Sequence, residues 1–403
     1  MPCPVFSFAG GWIARSRPGV ERGTPYQNRR LKRYDSDSLE VGWFAKEVTV
    51  REDWAMKFAR LICLVIVTTV FAAGSGSALD GGRQIPARTL PVPETASPAL
   101  QALVAAPLPP FWNTHPKSTQ EWKEFVQQHA SLNLKLVPGL REKMGVKVEP
   151  ATIGGVKAFI VTPGEIAEAN RNRVLIHVHG GGYVLSPGEA GTPEAILMAG
   201  HSHLKVISID YRMPPDFPFP AAIDDAMAVY KEILKTTDAK KIGIFGTSTG
   251  GGMTLVMVLR AKLEGLPLPG AIAPGTPWSD MTKTGDTYFA NEMVDDVLVS
   301  NDGWLGDAAN LYANGHDLKD PMLSPVYGDL KGFPPTILTT GTRDLFLSNT
   351  VRVHRKLREA GVVSDLIVFE GLSHAQYLFI PDAPESKEHF AEVAAFFDKY
   401  LEK

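Results

Sequence analysis

Cysteine is almost absent from this chain of 403 residues. Its two cysteines, Cys3 and Cys63, both precede the part of the chain that shows regular secondary-structure patterns. That part therefore contains no disulfide framework, no cysteine-based zinc site and no cysteine nucleophile. An excess of basic residues is also lacking, because the formal net charge is -3. The composition thus gives no reason to expect nucleic-acid binding.

Signatures for binding phosphate groups or catalytic metal ions are missing as well. The chain has no G-x-x-x-x-G-K-[ST] motif, and no G-x-G-x-x-G follows a predicted strand, which disfavours a nucleotide-binding protein. There is no helical H-E-x-x-H, the pair His177-x-His179 lacks further ligands, and His201-x-His203 stands at a predicted turn. We therefore expect neither a metal ion nor an organic cofactor.

Residues 56–78 have the pattern of a secretory signal peptide. A short basic start precedes an apolar run over residues 61–73, and small residues end the segment. The apolar run is shorter than the roughly 20 residues of a membrane-spanning helix. We therefore expect export to the periplasm or the medium, with no stable membrane span in the mature protein. The alternative is a membrane anchor formed by the same segment.

Signal peptides stand at the N-terminus, whereas this one begins at Met56. We interpret residues 1–55 as a disordered, non-native upstream extension, and a genuine cytosolic extension as the alternative. Residues 79–98 are rich in proline, alanine and threonine, and we expect them to form a linker. Residues 99–403 are then expected to form the folded domain.

Strand and helix patterns alternate through most of this domain. The predicted strands are 147–152, 156–162, 173–179, 205–210, 241–246, 270–274, 336–340 and 364–370, and the predicted helices among them are 193–201, 222–234, 249–264, 349–359 and 385–400. Such alternation predicts a mostly parallel sheet covered by helices on both faces, with the functional groups beyond the carboxyl ends of its strands.

Two segments fall outside this alternation. A capping box at residues 118–121 opens a helix that Pro138 and Gly139 are expected to break. Residues 279–318 mix polar residues with aromatic ones and interrupt the later part of the sheet pattern. We expect residues 99–146 and 279–318 to form a helical cap over the carboxyl edge of the sheet.

The stretch Gly246-Thr247-Ser248-Thr249-Gly250 lies between a predicted strand and a predicted helix. This is the context of a nucleophile elbow, in which flanking glycines permit a tight turn and the serine stands at its tip. The serine also lies at a helix N-terminus, whose dipole favours developing negative charge. The alternative is a glycine-rich turn with a capping serine.

A second glycine-rich stretch, His179-Gly180-Gly181-Gly182, ends a predicted strand that comes earlier in the chain than the strand before the serine. Attack on an ester carbonyl creates an oxyanion, which must be met by preorganised donors. Backbone N–H groups can serve only where no side chain blocks the approach, which gives a reason for three glycines. We expect these glycines and the Thr249 N–H to form an oxyanion hole. For His179 itself, holding the loop is the simpler role.

These two stretches occur together with Asp210-Tyr211-Arg212 and with Phe219-Pro220-Ala221-Ala222, in a fixed order. The combination resembles the hormone-sensitive-lipase-like branch of the α/β-hydrolases, bacterial esterases with an HGGG loop, and looks closest to ε-lactone hydrolases and acetyl esterases. The resemblance implies an eight-stranded, mostly parallel sheet, a helical cap, no cofactor and a small-molecule ester or lactone substrate. It leaves monomer and homodimer open.

The resemblance also supplies the rest of a catalytic triad. The family's order is serine, acid, histidine. Asp344 follows the next-to-last predicted strand and His374 the last one, so these residues are expected to be the acid and the base beside Ser248. The chain departs from the family by Thr249 after the nucleophile, where alanine is common, which bears on substrate size. The rival functions are a non-catalytic small-molecule receptor on this fold and an acyltransferase or amidase with the same residues.

Overall fold

A computed structural model describes residues 82–403, of which Ala87–Lys403 belong to one compact unit. The predicted signal peptide and the extension before it lie outside the described residues, and both stay predictions. Eight strands form one sheet with the order β1-β2-β4-β3-β5-β6-β7-β8. Strand β2 runs antiparallel to both of its neighbours, whereas β4, β3, β5, β6, β7 and β8 are parallel to one another. The expected mostly parallel eight-stranded sheet is therefore confirmed.

The strands and helices agree closely with the predicted ones. The strands are β1 Val146–Ile153, β2 Val156–Pro163, β3 Val174–Val178, β4 Lys205–Ile209, β5 Ile242–Thr247, β6 Ala271–Gly275, β7 Thr336–Gly341 and β8 Ser364–Phe369. The α-helices are α1 Pro98–Val104, α2 Thr119–Met144, α3 Pro193–Ser202, α4 Ala221–Leu234, α5 Thr249–Leu263, α6 Thr287–Ala290, α7 Trp304–Ala313, α8 Leu347–Glu359 and α9 Pro384–Tyr400.

Helices cover the sheet on both faces because its central strands are apolar on both sides. Along β3, Ile176 contributes to a core shared with α4, α5 and α8, whereas Leu175 contributes to a core shared with α3 and α9. Successive strand residues point to opposite faces, so the short apolar run 174–176, which ends at the polar His177, supplies both cores. Helix α5 lies behind the strand that carries the candidate nucleophile and is buried over nearly its whole length.

The expected break at Pro138 and Gly139 is wrong, because α2 continues through both residues. Proline removes one backbone hydrogen bond and crowds the carbonyl four residues earlier, here that of Leu134. Leu134 is exposed, so water can satisfy its carbonyl, while the buried Val137 keeps the helix against the domain. The helix ends instead at Gly145, whose left-handed backbone (φ 60°) permits the cap.

The two segments expected to form a cap meet each other. The ring of Phe125 on α2 lies 5.8 Å from that of Trp304 on α7, centroid to centroid. Residues 279–318 contain α6 and α7, and Thr287 Oγ1 donates to Leu345 O (2.9 Å) in the loop after β7. This segment therefore lies against the carboxyl edge of the sheet. Within residues 82–403, no helix has the length and apolar character needed to cross a membrane.

The end of the expected linker makes contacts with the domain. Thr95 Oγ1 donates to a carboxylate oxygen of Glu370 (2.7 Å), and Ser97 N donates to Glu385 (2.8 Å). Ser97 also caps α1, which follows it. The boundary between linker and domain at residues 98 and 99 stays a prediction, but the last residues before it are held by hydrogen bonds.

Candidate active site

Ser248 lies at the tip of the turn between β5 and α5. Its backbone has φ 64° and ψ -122°, a conformation that non-glycine residues rarely adopt. Ser248 N donates to Gly275 O at the end of β6 (2.9 Å), which fixes the turn. A Cβ atom at Gly246 or at Gly250 would lie 2.0 Å from Val178 O on β3. Only glycine fits at these two positions, because the turn lies directly against the neighbouring strand.

Asp344 and His374 are brought together from the loops after β7 and β8. His374 Nδ1 lies 3.0 Å from Asp344 Oδ1, and both side chains are buried. An ionised carboxylate can only accept, so Nδ1 carries the hydrogen and Nε2 of the neutral ring presents a lone pair. His374 Nε2 is buried and has no hydrogen-bond partner among residues 82–403. The ring is therefore fixed on one side and has a free basic nitrogen on the other.

Thr276 connects this pair to the serine turn. It follows Gly275, the acceptor for Ser248 N, and its Oγ1 donates to Asp344 Oδ2 and lies 3.1 Å from His374 Nδ1. Trp278 N donates to Ser248 O (2.9 Å) from the same stretch. The end of β6 thus contacts the nucleophile turn, the acid and the base together.

Two further donors hold the Asp344 carboxylate. Thr340 Oγ1 donates to Oδ2 (2.8 Å), and Phe346 N donates to Oδ1 (2.8 Å). Sequence reasoning missed Thr276 and Thr340. Their positions at the ends of β6 and β7 were a usable signal, since polar residues there face the same edge as the acid. These donors supply the hydrogen bonds that a buried carboxylate needs in place of water.

Residues 179–182, here called the glycine loop, follow β3 beside the serine turn. Gly181 and Gly182 have positive φ values of 116° and 66°. Neither of their N–H groups donates a hydrogen bond to another of residues 82–403. A Cβ at Gly180 would lie 3.2 Å from the Cβ of Ser248, and one at Gly182 would lie 2.8 Å from the Trp304 ring. The loop thus runs between the serine and the cap helix α7 with its backbone donors free.

His179 fixes the glycine loop rather than facing open space. Its Nδ1 donates to Gly180 O (2.8 Å), and its ring stacks on Tyr211 with 4.2 Å between centroids. The Tyr211 hydroxyl donates to His179 O (2.6 Å). Burial lowers the pKa of His179 to about 3, so the ring is neutral at physiological pH. The Asp210-Tyr211-Arg212 corner is held by a further contact, since Arg212 pairs with Asp225.

A buried polar network lies beneath the serine turn. Thr247 Oγ1 donates to Glu194 Oε1 (2.7 Å) and lies 2.8 Å from the Tyr377 hydroxyl. The other oxygen of Glu194 lies 3.1 Å from His177 Nε2, and His177 Nδ1 lies 2.9 Å from Ser208 Oγ. Both nitrogens of His177 thus have protein groups as hydrogen-bond partners. Thr249, at the start of α5, is fully buried.

A cleft of about 710 Å³ lies between α2 and the loop after β4. Its walls include Val126, Val184, Tyr211, Arg212 and Phe217, and none of the three candidate triad residues lines it. Size alone does not make a catalytic pocket, since the reacting groups must face the bound molecule. We therefore place the candidate active site at Ser248 and not in this cleft.

Comparison with known proteins agrees with this fold. A family model described as an alpha/beta hydrolase fold matches residues 175–378. An esterase of Acinetobacter venetianus is 28% identical over 254 residues, which are 62% of this chain and 82% of that protein. The crystal structure of esterase E25 is 46% identical, has a TM-score of 0.77 and is matched over 79% of this chain and 99% of its own.

A further crystal structure, of an esterase from the bacterial hormone-sensitive lipase family, is 26% identical with a TM-score of 0.64. The match covers 76% of this chain and 99% of that one. The residues that the family model matches include the glycine loop, the serine turn and the loops after β7 and β8. This chain therefore belongs to the hormone-sensitive-lipase-like family of α/β-hydrolases, and it is an esterase.

Proposed function

We propose that this enzyme hydrolyses carboxylic esters through a triad of Ser248, His374 and Asp344. The observation that carries the proposal is the fixed, buried His374 ring, with one nitrogen on Asp344 and the other unpartnered. Thr276 and its neighbours join this ring to the turn that presents Ser248. A neutral imidazole held in this tautomer is the group that a serine needs as its general base.

The chemistry follows from these positions. His374 Nε2 takes the proton of the Ser248 hydroxyl as Oγ bonds to the acyl carbon, and the carbonyl electrons move onto the oxygen. The protonated ring, stabilised by Asp344, then gives its proton to the leaving alcohol, and an acyl-serine ester remains. Water then adds to this ester with His374 again acting as base. The carboxylic acid is released, and the Ser248 hydroxyl is regenerated.

The oxyanion is assigned to the glycine loop and the start of α5. Support comes from the Gly181 and Gly182 N–H groups, which lack partners among residues 82–403. The Thr249 N–H, at the first residue of α5, also benefits from the positive end of the helix dipole. Preorganised donors of this kind are often the largest single contribution to rate, and losing one costs about 10²–10³-fold.

We propose short- to medium-chain acyl esters or lactones as substrates. The support is steric: Trp304 lies against Gly182, and Phe125 lies beside Trp304, so bulky aromatic side chains limit the space next to the glycine loop. Apolar walls with a few directed polar groups suit a small ester. The family resemblance to ε-lactone hydrolases and acetyl esterases points in the same direction.

The test is hydrolysis of p-nitrophenyl esters from acetate to laurate, and of an ε-lactone, by the wild type and by Ser248→Ala. We expect the wild type to cleave short esters fastest and the variant to lose at least about 10³-fold in kcat. Ser131→Ala, an exposed serine on α2, is the matched control and should keep wild-type activity. Full activity of Ser248→Ala would show that Ser248 is not the nucleophile.

A further inference from the structure

A short part of the cap contacts the loops that carry both Asp344 and His374. Residues 291–296 follow α6, and we call them the clamp segment. At its start, Asn291 Nδ2 donates to Asp344 O (2.8 Å) and lies 3.2 Å from Thr342 O. At its end, Asp296 Oδ1 accepts from Gln376 Nε2 (2.7 Å). The first contact holds the loop after β7, and the last one holds the loop after β8.

Between these contacts, one carboxylate binds both loops at once. Asp295 is fully buried, and its Oδ2 accepts from Leu345 N (2.7 Å) and from His374 N (3.3 Å). Leu345 follows Asp344 directly, so a single oxygen bridges the backbone beside the acid and the backbone of the base. Asp295 Oδ1 accepts from Val297 N (2.8 Å) and Leu298 N (3.0 Å).

The local bonds alone do not account for this residue. An aspartate that only shapes its own turn needs one oxygen for the N–H groups two and three residues ahead. Here Oδ1 fills that role, and Oδ2 is directed across to two loops that are 50 and 79 residues away in the chain. Burying a carboxylate costs free energy unless it is well hydrogen-bonded, and four N–H donors meet that need.

We propose that Asp295 is a positioning residue of the ester hydrolysis. It holds the loop after β7, here called the acid loop, at a fixed distance from the loop after β8, here called the base loop, so that Asp344 and His374 stay hydrogen-bonded. The inference rests on the triad proposed above. The proposed role of Asp295 requires no contact with the substrate or with Ser248. Asp295 sets the distance between the backbones of the two loops and thereby the positions of Asp344 and His374. A shift of about 1 Å in a reacting group is enough to cost about 100-fold in rate.

The charge of Asp295 adds to this effect. Burial, and next the negative charge of Asp344, raise the pKa of Asp295 to about 6, while His374 acts in the opposite direction. Those two are the titratable groups that face it from the acid loop and the base loop, and Asp296 is its neighbour in the clamp segment. Above that pH the ionised Asp295 favours the protonated imidazole that forms during the reaction.

The first variant is Asp295→Asn in the full chain, assayed with p-nitrophenyl butyrate. An amide has one accepting oxygen where the carboxylate has two, so the two loop N–H groups and the two N–H groups of its own turn can no longer all be met. We expect kcat to fall by about 10–100-fold while KM changes little. Loss of the negative charge should also move the acid limb of the kcat/KM profile to lower pH. Asp302→Asn, an exposed aspartate that pairs with Lys283, is the control and should resemble the wild type.

A double-mutant cycle separates positioning from general loss of structure. If Asp295 acts through the acid–base pair, Asp295→Asn should cost far less kcat in an Asp344→Asn background than in the wild type. Equal fold losses in both backgrounds would overturn the proposal. So would a kcat and pH profile of Asp295→Asn that match the wild type.

Urea unfolding shows whether Asp295→Asn folds. If it does not, Asn291→Ala gives an independent check. It removes two hydrogen bonds to the loop after β7 and leaves the charge of Asp295 in place, so we expect a smaller loss of kcat with an unchanged KM. If Asp295→Asn does not fold and Asn291→Ala keeps the wild-type kcat, the proposed role of the clamp segment is refuted. Failure of Ser248→Ala to abolish activity would instead refute the proposed nucleophile, so the two ideas fail by different measurements.

Discussion

Replacing Gly250 by alanine would place a methyl group where the serine turn touches the neighbouring strand. A Cβ at this position would lie 2.0 Å from Val178 O and 3.0 Å from the backbone of His179. Favourable contacts of a carbon atom lie near 3.5 Å, so the start of α5 and the end of β3 have to separate by about 1 Å or more. Since His179 begins the glycine loop, its N–H groups then move away from Ser248.

The size of the effect follows from this geometry. A misplacement of about 1 Å can cost about 100-fold in rate, and we expect kcat/KM for p-nitrophenyl butyrate to fall by that factor. The contact is with backbone, which cannot rotate away as a side chain can. We therefore also expect the free energy of unfolding to fall by about 1–3 kcal/mol, as in other overpacked interiors.

The control is a second helical glycine with free space around it. A Cβ at Gly139 on α2 would meet nothing within 4 Å, so Gly139→Ala should keep wild-type activity and stabilise α2 by up to about 1 kcal/mol. Both variants would be compared with the wild type by ester hydrolysis and urea unfolding. Wild-type kcat/KM in Gly250→Ala would refute the tight packing of the serine turn against β3.

Two further substitutions test the core and the cap. Burial lowers the pKa of His389 to about 3 in the folded protein. In the unfolded chain this histidine takes up a proton near pH 6.5, so the free energy of unfolding falls as the pH drops from about 6.5 to about 3. His389→Phe keeps the stacking on Tyr377, and it should make the loss of unfolding free energy between pH 7.5 and 4.5 smaller by about 2.7 kcal/mol. An unchanged pH dependence would contradict this. Pro138→Ala restores an N–H for Leu134 O and should stabilise the protein by about 1–2 kcal/mol, and a lower urea midpoint would show that the proline is needed for packing.

The positions of the acid and the base could be predicted because each follows a strand of a parallel sheet. In a parallel sheet, residues that follow strands lie at one edge, so Asp344 after β7 and His374 after β8 were expected near Ser248 after β5. The alternating pattern located these strand ends, and the resemblance, which implies the order serine, acid, histidine, then selected Asp344 and His374 among the residues there. That His374 meets Asp344 at 3.0 Å is a structural observation, while their roles stay a proposal.

Pro138 shows where local rules were insufficient. Proline disfavours helix interiors by itself, but the buried Val137 holds α2 against the domain just before it, and the half-buried Leu140 and Met144 pack against the same core after it. Tertiary packing of an apolar face provides most of a helix's stability, and it can exceed the cost of one missing hydrogen bond. No sequence window contains the surface that supplies this packing.

The sequence by itself determined the order of strands and helices, the tight turn around Ser248 and the glycine loop, since these depend on residues close together in the chain. Only the tertiary structure decided which groups support the acid and the base. Thr276 meets Asp344 across 68 residues, and Asp295 meets His374 across 79. Such contacts depend on how loops from different strands pack at one edge, and a hydrogen bond over a few ångströms leaves no periodic trace in the sequence.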